Sequence, residues 1–318
     1  MSPNGQNDGA FEEIRLDELP EALRVLLATP GEGQPADRAA ARGFLQYLAR
    51  GAIQWEGWRA GRSAAPRGLF VAVRLPGATA IVLVPTTGEL GIEKDAQYAV
   101  TRAGLALMAR RRLHFAQALL LPEAELQRLL LTETGFRPLA RLVYLERDAR
   151  YPWVEPPDVE PSAWIQYAAK THDEFAETLH NTYEHSLDCP ALTNLRPIPD
   201  VIAGHQAAGE FDPRLWELLR MEGRSAACLL LAHLPALRSV ELVYMGVRPE
   251  YRGRGLGTVL LRRALQHCRT VGAGRLTLAV DDGNGPAKRV YGALGLRPFA
   301  RRDAYLYRWP EDTGTARE

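Results

Sequence analysis

The chain has 318 residues, 46% of them hydrophobic and 24% charged, with 39 Lys and Arg almost balanced by 38 Asp and Glu. That composition excludes a fibrous or intrinsically disordered chain, and a net charge of +1 excludes a global field that would draw the protein onto nucleic acid or a membrane. The length suits two domains of ordinary size, each able to bury its own core.

Cys189, Cys228 and Cys268 are odd in number, far apart and without a CxxC pair, so they read as free thiols of a reducing compartment. The N-terminal MSPNGQNDGAFEE lacks the basic start and apolar run of a secretory signal, and no apolar stretch is long enough to span a bilayer. A cytoplasmic location without a membrane partner is the expectation.

In chain order, the first half predicts strands at 80–84 and 115–120 around a helical stripe of Ala96, Val100, Gly104, Leu107 and Met108. The segment 148–161, DARYPWVEPPDVEP, holds four prolines and cannot sustain a helix or a central strand, so it reads as a linker. After it come a strand at 163–167 and helices at 172–183 and 200–208. Apolar runs at 215–221, 226–234 and 240–247, separated by GRS and PALRS, predict an antiparallel meander. A helix at 255–271, a strand at 276–280, a helix at 286–294 and strands at 296–299 and 304–309 complete the half. The expected fold class is α/β, a mixed, mostly antiparallel sheet flanked by helices. It is not a Rossmann fold, because the glycine-rich turn follows the end of a meander.

The chain also repeats. GFRPLAR from Gly135 and GLRPFAR from Gly295 agree at five of seven positions, 160 residues apart, and the same offset sets 80–84 against 240–244 and 115–120 against 275–280. The expected organisation is a domain at 1–147, the linker 148–161 and a second domain at 162–318.

The second copy carries VRPEYRGRGLG, running strand, turn, helix. Gly253, Gly255 and Gly257 let the backbone pass close to a ligand, and the amides around Leu256 and Thr258 sit where the positive helix terminus adds its field. Arg252 and Arg254 would add charge-assisted contacts, so a diphosphate suits this cradle better than a lone carboxylate. Gly246, inside the preceding strand, marks a bulge or a close backbone approach. A second motif follows: Asn284-x-x-Ala287-x-x-x-Tyr291 and then Gly295-Leu-Arg-Pro.

Together the two motifs resemble those of the GCN5-related N-acetyltransferase (GNAT) superfamily, over roughly residues 164–309. The resemblance implies two tandem GNAT-like domains, acetyl-CoA as co-substrate, no metal, and a small-molecule or peptide amine as acceptor. It implies that the strand bulges near Gly246 and frees amides at Met245, Gly246 and Val247 for the pantetheine arm and the thioester carbonyl. It implies also that Asn284 and Ala287 lie at the cofactor and that Tyr291 protonates the departing thiolate. Each residue has a plainer role open to it: Asn284 as a helix cap, Tyr291 as a half-buried aromatic.

Glu241 is the first candidate for the general base, placed by strand alternation on the face of Met245, with an exposed or salt-bridged strand glutamate as the alternative. His172, His180, His185, Glu184 and Asp188 tempt a metal reading, but there is no HExxH, and the His180 to His185 spacing turns the rings to different helix faces. Tyr183 and Asp188 read as acceptor contacts or structural polar groups. A nucleic-acid site at Arg248, Arg252, Arg254, Arg262 and Arg263 is disfavoured by the near-neutral composition. A non-catalytic acyl-CoA-binding or regulatory module stays open as the rival to an enzyme, and the oligomeric state, a homodimer included, stays open as well.

In the first copy the offset sets Ile92 against Arg252, Asp95 against Gly255 and Gln97 against Gly257, while Ala124, Gln127 and Leu131 stand against Asn284, Ala287 and Tyr291. An aspartate repels phosphate and side chains block its approach, so this copy resembles a GNAT domain that has lost its cofactor site. Its Trp55 and Trp58 read either as part of an acceptor surface or as interface packing.

Overall fold

The computed structural model describes residues 11–26, 54–87, 90–151 and 162–310. Most of the linker predicted at 148–161 lies outside them. The chain divides into two compact units: Met1–Pro138 with Ala304–Glu318, and Leu139–Asp303. These units do not follow the sequence halves 1–147 and 162–318, because the last strand of each half falls mainly or partly in the unit built from the other.

In the first unit, strands β1 (Glu12–Glu13), β2 (Gln54–Arg62), β3 (Ala65–Leu75) and β4 (Thr79–Leu83) are antiparallel neighbours, and β5 (Phe115–Leu120) runs parallel to β4. The helix Lys94–Met108 packs on this sheet through Val100, Thr101, Gly104, Leu105 and Met108. Leu105 is buried where Leu107 was expected, two residues further on, and Leu107 is half-buried. Gly104 has a direct steric reason: a Cβ there would lie 2.4 Å from the Phe70 ring. Trp58 packs partly buried against the core cluster around Phe70 and Trp55 against the one around Leu69, so both have packing roles in this unit. The same core takes Tyr305, Tyr307 and Trp309 from the end of the chain, with the Trp309 indole N–H donating to the Leu105 carbonyl at 2.8 Å.

The second unit is a sheet of order β6-β11-β10-β9-β8-β7, from β6 (Arg137–Asp148), β7 (Ser162–Gln166), β8 (Trp216–Met221), β9 (Arg224–Leu234), β10 (Ser239–Val247) and β11 (Arg275–Asp281). The predicted meander is present, with β7 to β10 antiparallel in sequence and β11 parallel to β10. The helix Leu256–Thr270 buries Leu256, Leu260, Leu261, Ala264, Leu265 and Cys268 on one sheet face. Helices His172–Thr182 and Ile198–Gln206 cover part of the other through Phe175, Leu179, Val201 and Ile202. A buried Glu217 ties β8 to the helix Leu256–Thr270, accepting from Arg263 at 2.6 and 2.7 Å and pairing with His267 at 2.8 Å.

The strands predicted at 296–299 and 304–309 are one strand, β12 (Arg297–Tyr307). The charged residues Arg301, Arg302 and Asp303 between the two expected strands continue the strand, with Arg301 exposed and Asp303 accepting from Arg141 at 2.7 Å. The 160-residue offset reaches the backbone pairing: Thr79↔Phe115 in the first unit matches Ser239↔Arg275 in the second, and helix Glu125–Glu133 matches Gly285–Ala293.

Candidate active site

β10 and β11 begin side by side, in parallel register from Ser239↔Arg275 to Leu242↔Leu278, and then part. At that point the register of β10 on β9 shifts between Leu242 and Tyr244, leaving Val243 as the extra residue of a bulge. Beyond it β10 stays paired to β9 as far as Val247↔Ala227, while its other edge has no ladder partner among the described residues. That edge faces a cavity of about 280 Å³ lined by Met245, Gly246, Val247, Asn284, Ala287 and Tyr291, among others.

The bulge therefore sits at Val243 and not at Gly246. Gly246 answers the second expectation, close approach, since a Cβ there would lie 2.5 Å from the Thr182 hydroxyl oxygen. The bulge also reverses the face of every residue after it. Glu241 is opposite Ala232 on β9 and Met245 is opposite Leu229, three residues away, so the two point to opposite faces. Glu241 shares its face with Tyr244 instead, and Met245 packs with Leu229 and Leu242 in the core under the helix Leu256–Thr270.

The cradle is built by backbone geometry. Gly253 and Gly255 hold φ of 78° and 79°, a region costly for side-chain-bearing residues. The Arg252 amide donates to Pro249 O at 3.2 Å, and among the described residues the next amide to find a carbonyl is that of Thr258, to Gly255 O at 3.0 Å. The amides from Gly253 to Gly257 are left at the positive end of a 15-residue helix. The Leu256 side chain is turned into the core at 2% exposure, so only its backbone faces the turn. A Cβ on Gly257 would meet nothing nearer than Val290 at 3.7 Å. The protein's own packing does not require glycine there.

The two arginines behave differently from the sequence expectation. The Arg252 guanidinium donates to the carbonyl oxygens of Val247 (3.0 Å), Thr182 (3.1 Å), Glu184 (2.7 Å) and His185 (3.4 Å). It clamps the end of β10 to the end of the helix His172–Thr182, because the one-turn segment Pro249–Tyr251 folds it back over the strand. Arg254 stays at the surface, 3.7 Å from Glu222 and over the Tyr251 ring. Replacing Arg252 by Ala is expected to destabilise the fold by about 2 kcal/mol, from the loss of charge-assisted bonds to carbonyls. Thermal unfolding measures this, and an unchanged midpoint would return Arg252 to the ligand.

Tyr291 is 7% exposed at the cavity wall, and burial together with the nearby Asp188 charge holds its phenol well above the ordinary value. It is protonated at neutral pH. The Asn284 side-chain oxygen accepts from the Ala287 amide at 3.2 Å and so caps the helix that carries Tyr291. Asp188 accepts the Asp281 amide at 3.0 Å, and Asp281 accepts the Cys189 amide at 3.2 Å, which ties the loop after Tyr183 to the end of β11. Tyr183 packs against Tyr244, with its hydroxyl 3.2 Å from His205 Nε2. Burial pushes the half-buried Glu241 carboxyl up to about 7. Among the described residues no group of three or more His, Cys, Asp or Glu side chains is placed to hold a metal ion, and no helix is long and apolar enough to cross a membrane.

In the first unit the same places are filled. Gln127, at the position of Ala287, donates to Val84 O at 2.8 Å, the strand position equivalent to Tyr244. Gln97, at the position of Gly257, is fully buried and bonds Leu69 N, Leu69 O and Thr101 Oγ1. Ile92 and Leu131, at the positions of Arg252 and Tyr291, are core residues at 2% and 0% exposure.

A splayed parallel strand pair beside a glycine turn of free amides defines the second unit as a GNAT-type acetyltransferase fold. Residues 177–296 match the acetyltransferase (GNAT) family model, so the chain carries a domain of that family. The mycothiol acetyltransferase of Beutenbergia cavernae is 36% identical over 99 residues, 30% of this chain and 32% of that protein. The streptothricin acetyltransferase of Streptomyces lavendulae is 42% identical over 107 residues, 34% of this chain and 53% of that protein. The chain thus spans about half or less of the length of the curated relatives it matches. A tandem GNAT protein from the clavulanic acid biosynthesis pathway shares the fold, with a TM-score of 0.53 at 15% identity over 95% of this chain and all of that one.

Proposed function

We propose that this protein is an acetyl-CoA-dependent N-acetyltransferase acting on a primary amine of a small molecule or peptide by direct attack within a ternary complex. The observation that carries this is one cavity holding both the unpaired edge of β10 and the buried Tyr291 hydroxyl, at the foot of a turn with five free amides. In this reading the amides from Gly253 to Gly257 and the helix terminus at Thr258 hold the pyrophosphate. Met245, Gly246 and Val247 pair with the pantetheine arm, and their amides polarise the thioester carbonyl, which is preorganised oxyanion stabilisation. Glu241 accepts the proton of the acceptor ammonium, directly or through water. As the C–N bond forms and the C–S bond breaks, Tyr291 gives its proton to the thiolate and regains one from the nitrogen of the new amide, through water, while Glu241 releases the ammonium proton to solvent. Asn284 and Ala287 fix the helix on which Tyr291 rides.

The sequence organisation fits the same reading: a copy at 1–147 without the cofactor motif, a linker at 148–161 and an active copy at 162–318. Three free cysteines and an acetyl-CoA donor suit a cytoplasmic enzyme. Replacing Tyr291 by Phe is expected to lower kcat by about 10- to 100-fold while leaving the acetyl-CoA dissociation constant within about twofold. Unchanged turnover removes Tyr291 from the mechanism. The rival, a non-catalytic acyl-CoA-binding module, predicts the same binding with no release of free thiol from acetyl-CoA in the presence of amines.

A further inference from the structure

β6 precedes the linker in sequence and belongs to the first repeat, yet its residues from Leu142 to Asp148 pair antiparallel with β11, from Leu142↔Asp281 to Asp148↔Arg275. The register sets Glu241, Thr277 and Glu146 in one row across β10, β11 and β6, with Tyr144 opposite Ala279 two residues further along. Cross-strand partners share a face, so Tyr144 stands on the face of Glu241. The opposite face, with Val143, Leu145, Leu276 and Leu278, is buried core. On the Tyr144 face Ala279 is exposed, and it also lines the cavity that β10 opens where it leaves β11. Tyr144 is therefore the next side chain beyond the opening, across one small residue from the free edge of β10.

A second observation points the same way. Phe299 is 53% exposed and meets the Tyr144 ring edge to face at 6.2 Å between centroids. An exposed phenylalanine gains when a flat apolar surface covers it, and a tyrosine beside it adds a hydrogen-bonding tip. Burial and the neighbouring Glu241 hold the Tyr144 phenol above its ordinary value, so it stays a donor at neutral pH.

We infer that Tyr144, with Phe299 beside it, is a specificity-determining residue of the acceptor side, selecting primary amines whose nitrogen is attached close to a ring with an apolar face. The inference rests on the acetyltransferase reading. It gives the first repeat a part in the active unit, by supplying one wall of the acceptor path. Arylalkylamines and amino sugars share the required chemistry.

The test measures thiol release from acetyl-CoA with tyramine, glucosamine and ethanolamine, using the full-length protein and its Tyr144→Phe, Tyr144→Ala and Phe299→Ala variants, and acetyl-CoA binding by calorimetry in each. The parent is expected to prefer a ring-bearing amine over ethanolamine by about tenfold or more in kcat/KM, within the discrimination a shaped apolar pocket achieves. Tyr144→Ala and Phe299→Ala remove that preference through the acceptor KM with acetyl-CoA affinity unchanged. Tyr144→Phe keeps the preference for tyramine and weakens glucosamine if the hydroxyl is read by a sugar, or leaves both unchanged if the ring alone is read. A parent without ring preference, no turnover of either ring-bearing amine, or variants that keep the preference while binding acetyl-CoA overturns the assignment of Tyr144. Failure of the parent to bind acetyl-CoA overturns the functional reading beneath it.

Discussion

Replacing Glu241 by Gln is expected to lower kcat/KM by about 10²- to 10³-fold, the range of a lost general base, and to abolish the rise of activity with pH through about 7. The carboxyl is held up to about 7 by burial, so its basic form is half populated near neutrality and dominant only above it. On its own face stand Tyr244 of β10, Tyr144 of β6, whose phenol feels the Glu241 charge, and Glu146 of β6, which shares its row and pairs with Arg275 at 3.3 Å. The sign for stability is opposite to that for activity. A carboxyl whose folded value is raised stabilises the fold fully below the ordinary carboxylate range, and that contribution is lost as pH rises through about 7. The Gln variant, unable to ionise, should therefore melt at a higher temperature than the parent at pH 8 and show little difference at pH 4. A variant with the parental pH profile would exclude Glu241 as the base. The face reversal at Val243 leaves Glu241 on the face of Tyr244 and turns Met245 to the opposite one, under the helix Leu256–Thr270.

Replacing Gly257 by Gln, the residue the first copy carries at Gln97, is expected to weaken acetyl-CoA binding by about 100-fold or more, equivalent to about 2.8 kcal/mol. The comparison is clean because the nearest atom to a new Cβ is Val290 at 3.7 Å, ordinary contact distance, so the fold has room for the side chain. In the first unit Gln97 finds partners on Leu69 and Thr101. At position 257 the equivalent strand residue, Leu229, is already paired with Met245 on β10, so the new amide has only the ligand's space to occupy. Thermal unfolding should change little while calorimetric binding collapses. Binding within a few-fold of the parent would mean that the pyrophosphate does not approach this turn.

Much of the fold was legible because it follows from local periodicity and from one long repeat. The meander, the helix after the glycine turn and the 160-residue offset all survive in the register of β4 on β5 and β10 on β11. The cradle was legible too, since Gly253 and Gly255 are demanded by φ near 79° in a short stretch of chain. A charge next to an anion site suggests a contact for Arg252, and only the fold shows four carbonyl oxygens around its guanidinium, which give it a structural role as well. The bulge was displaced by three residues because a strand glycine is compatible with either a bulge or a close approach, and Thr182, which decides between them, is distant in sequence.

By itself, then, the sequence determined the long repeat and the glycine turn that the second copy carries and the first lacks, since each is written in short stretches of chain. Tertiary structure alone decided which strands share a sheet. No periodicity reports that β6, from the first copy, pairs with β11 of the second or that Tyr144 thereby reaches the face of Glu241, because strand partnership is fixed by long-range packing of whole faces and leaves no mark in the pattern of either strand.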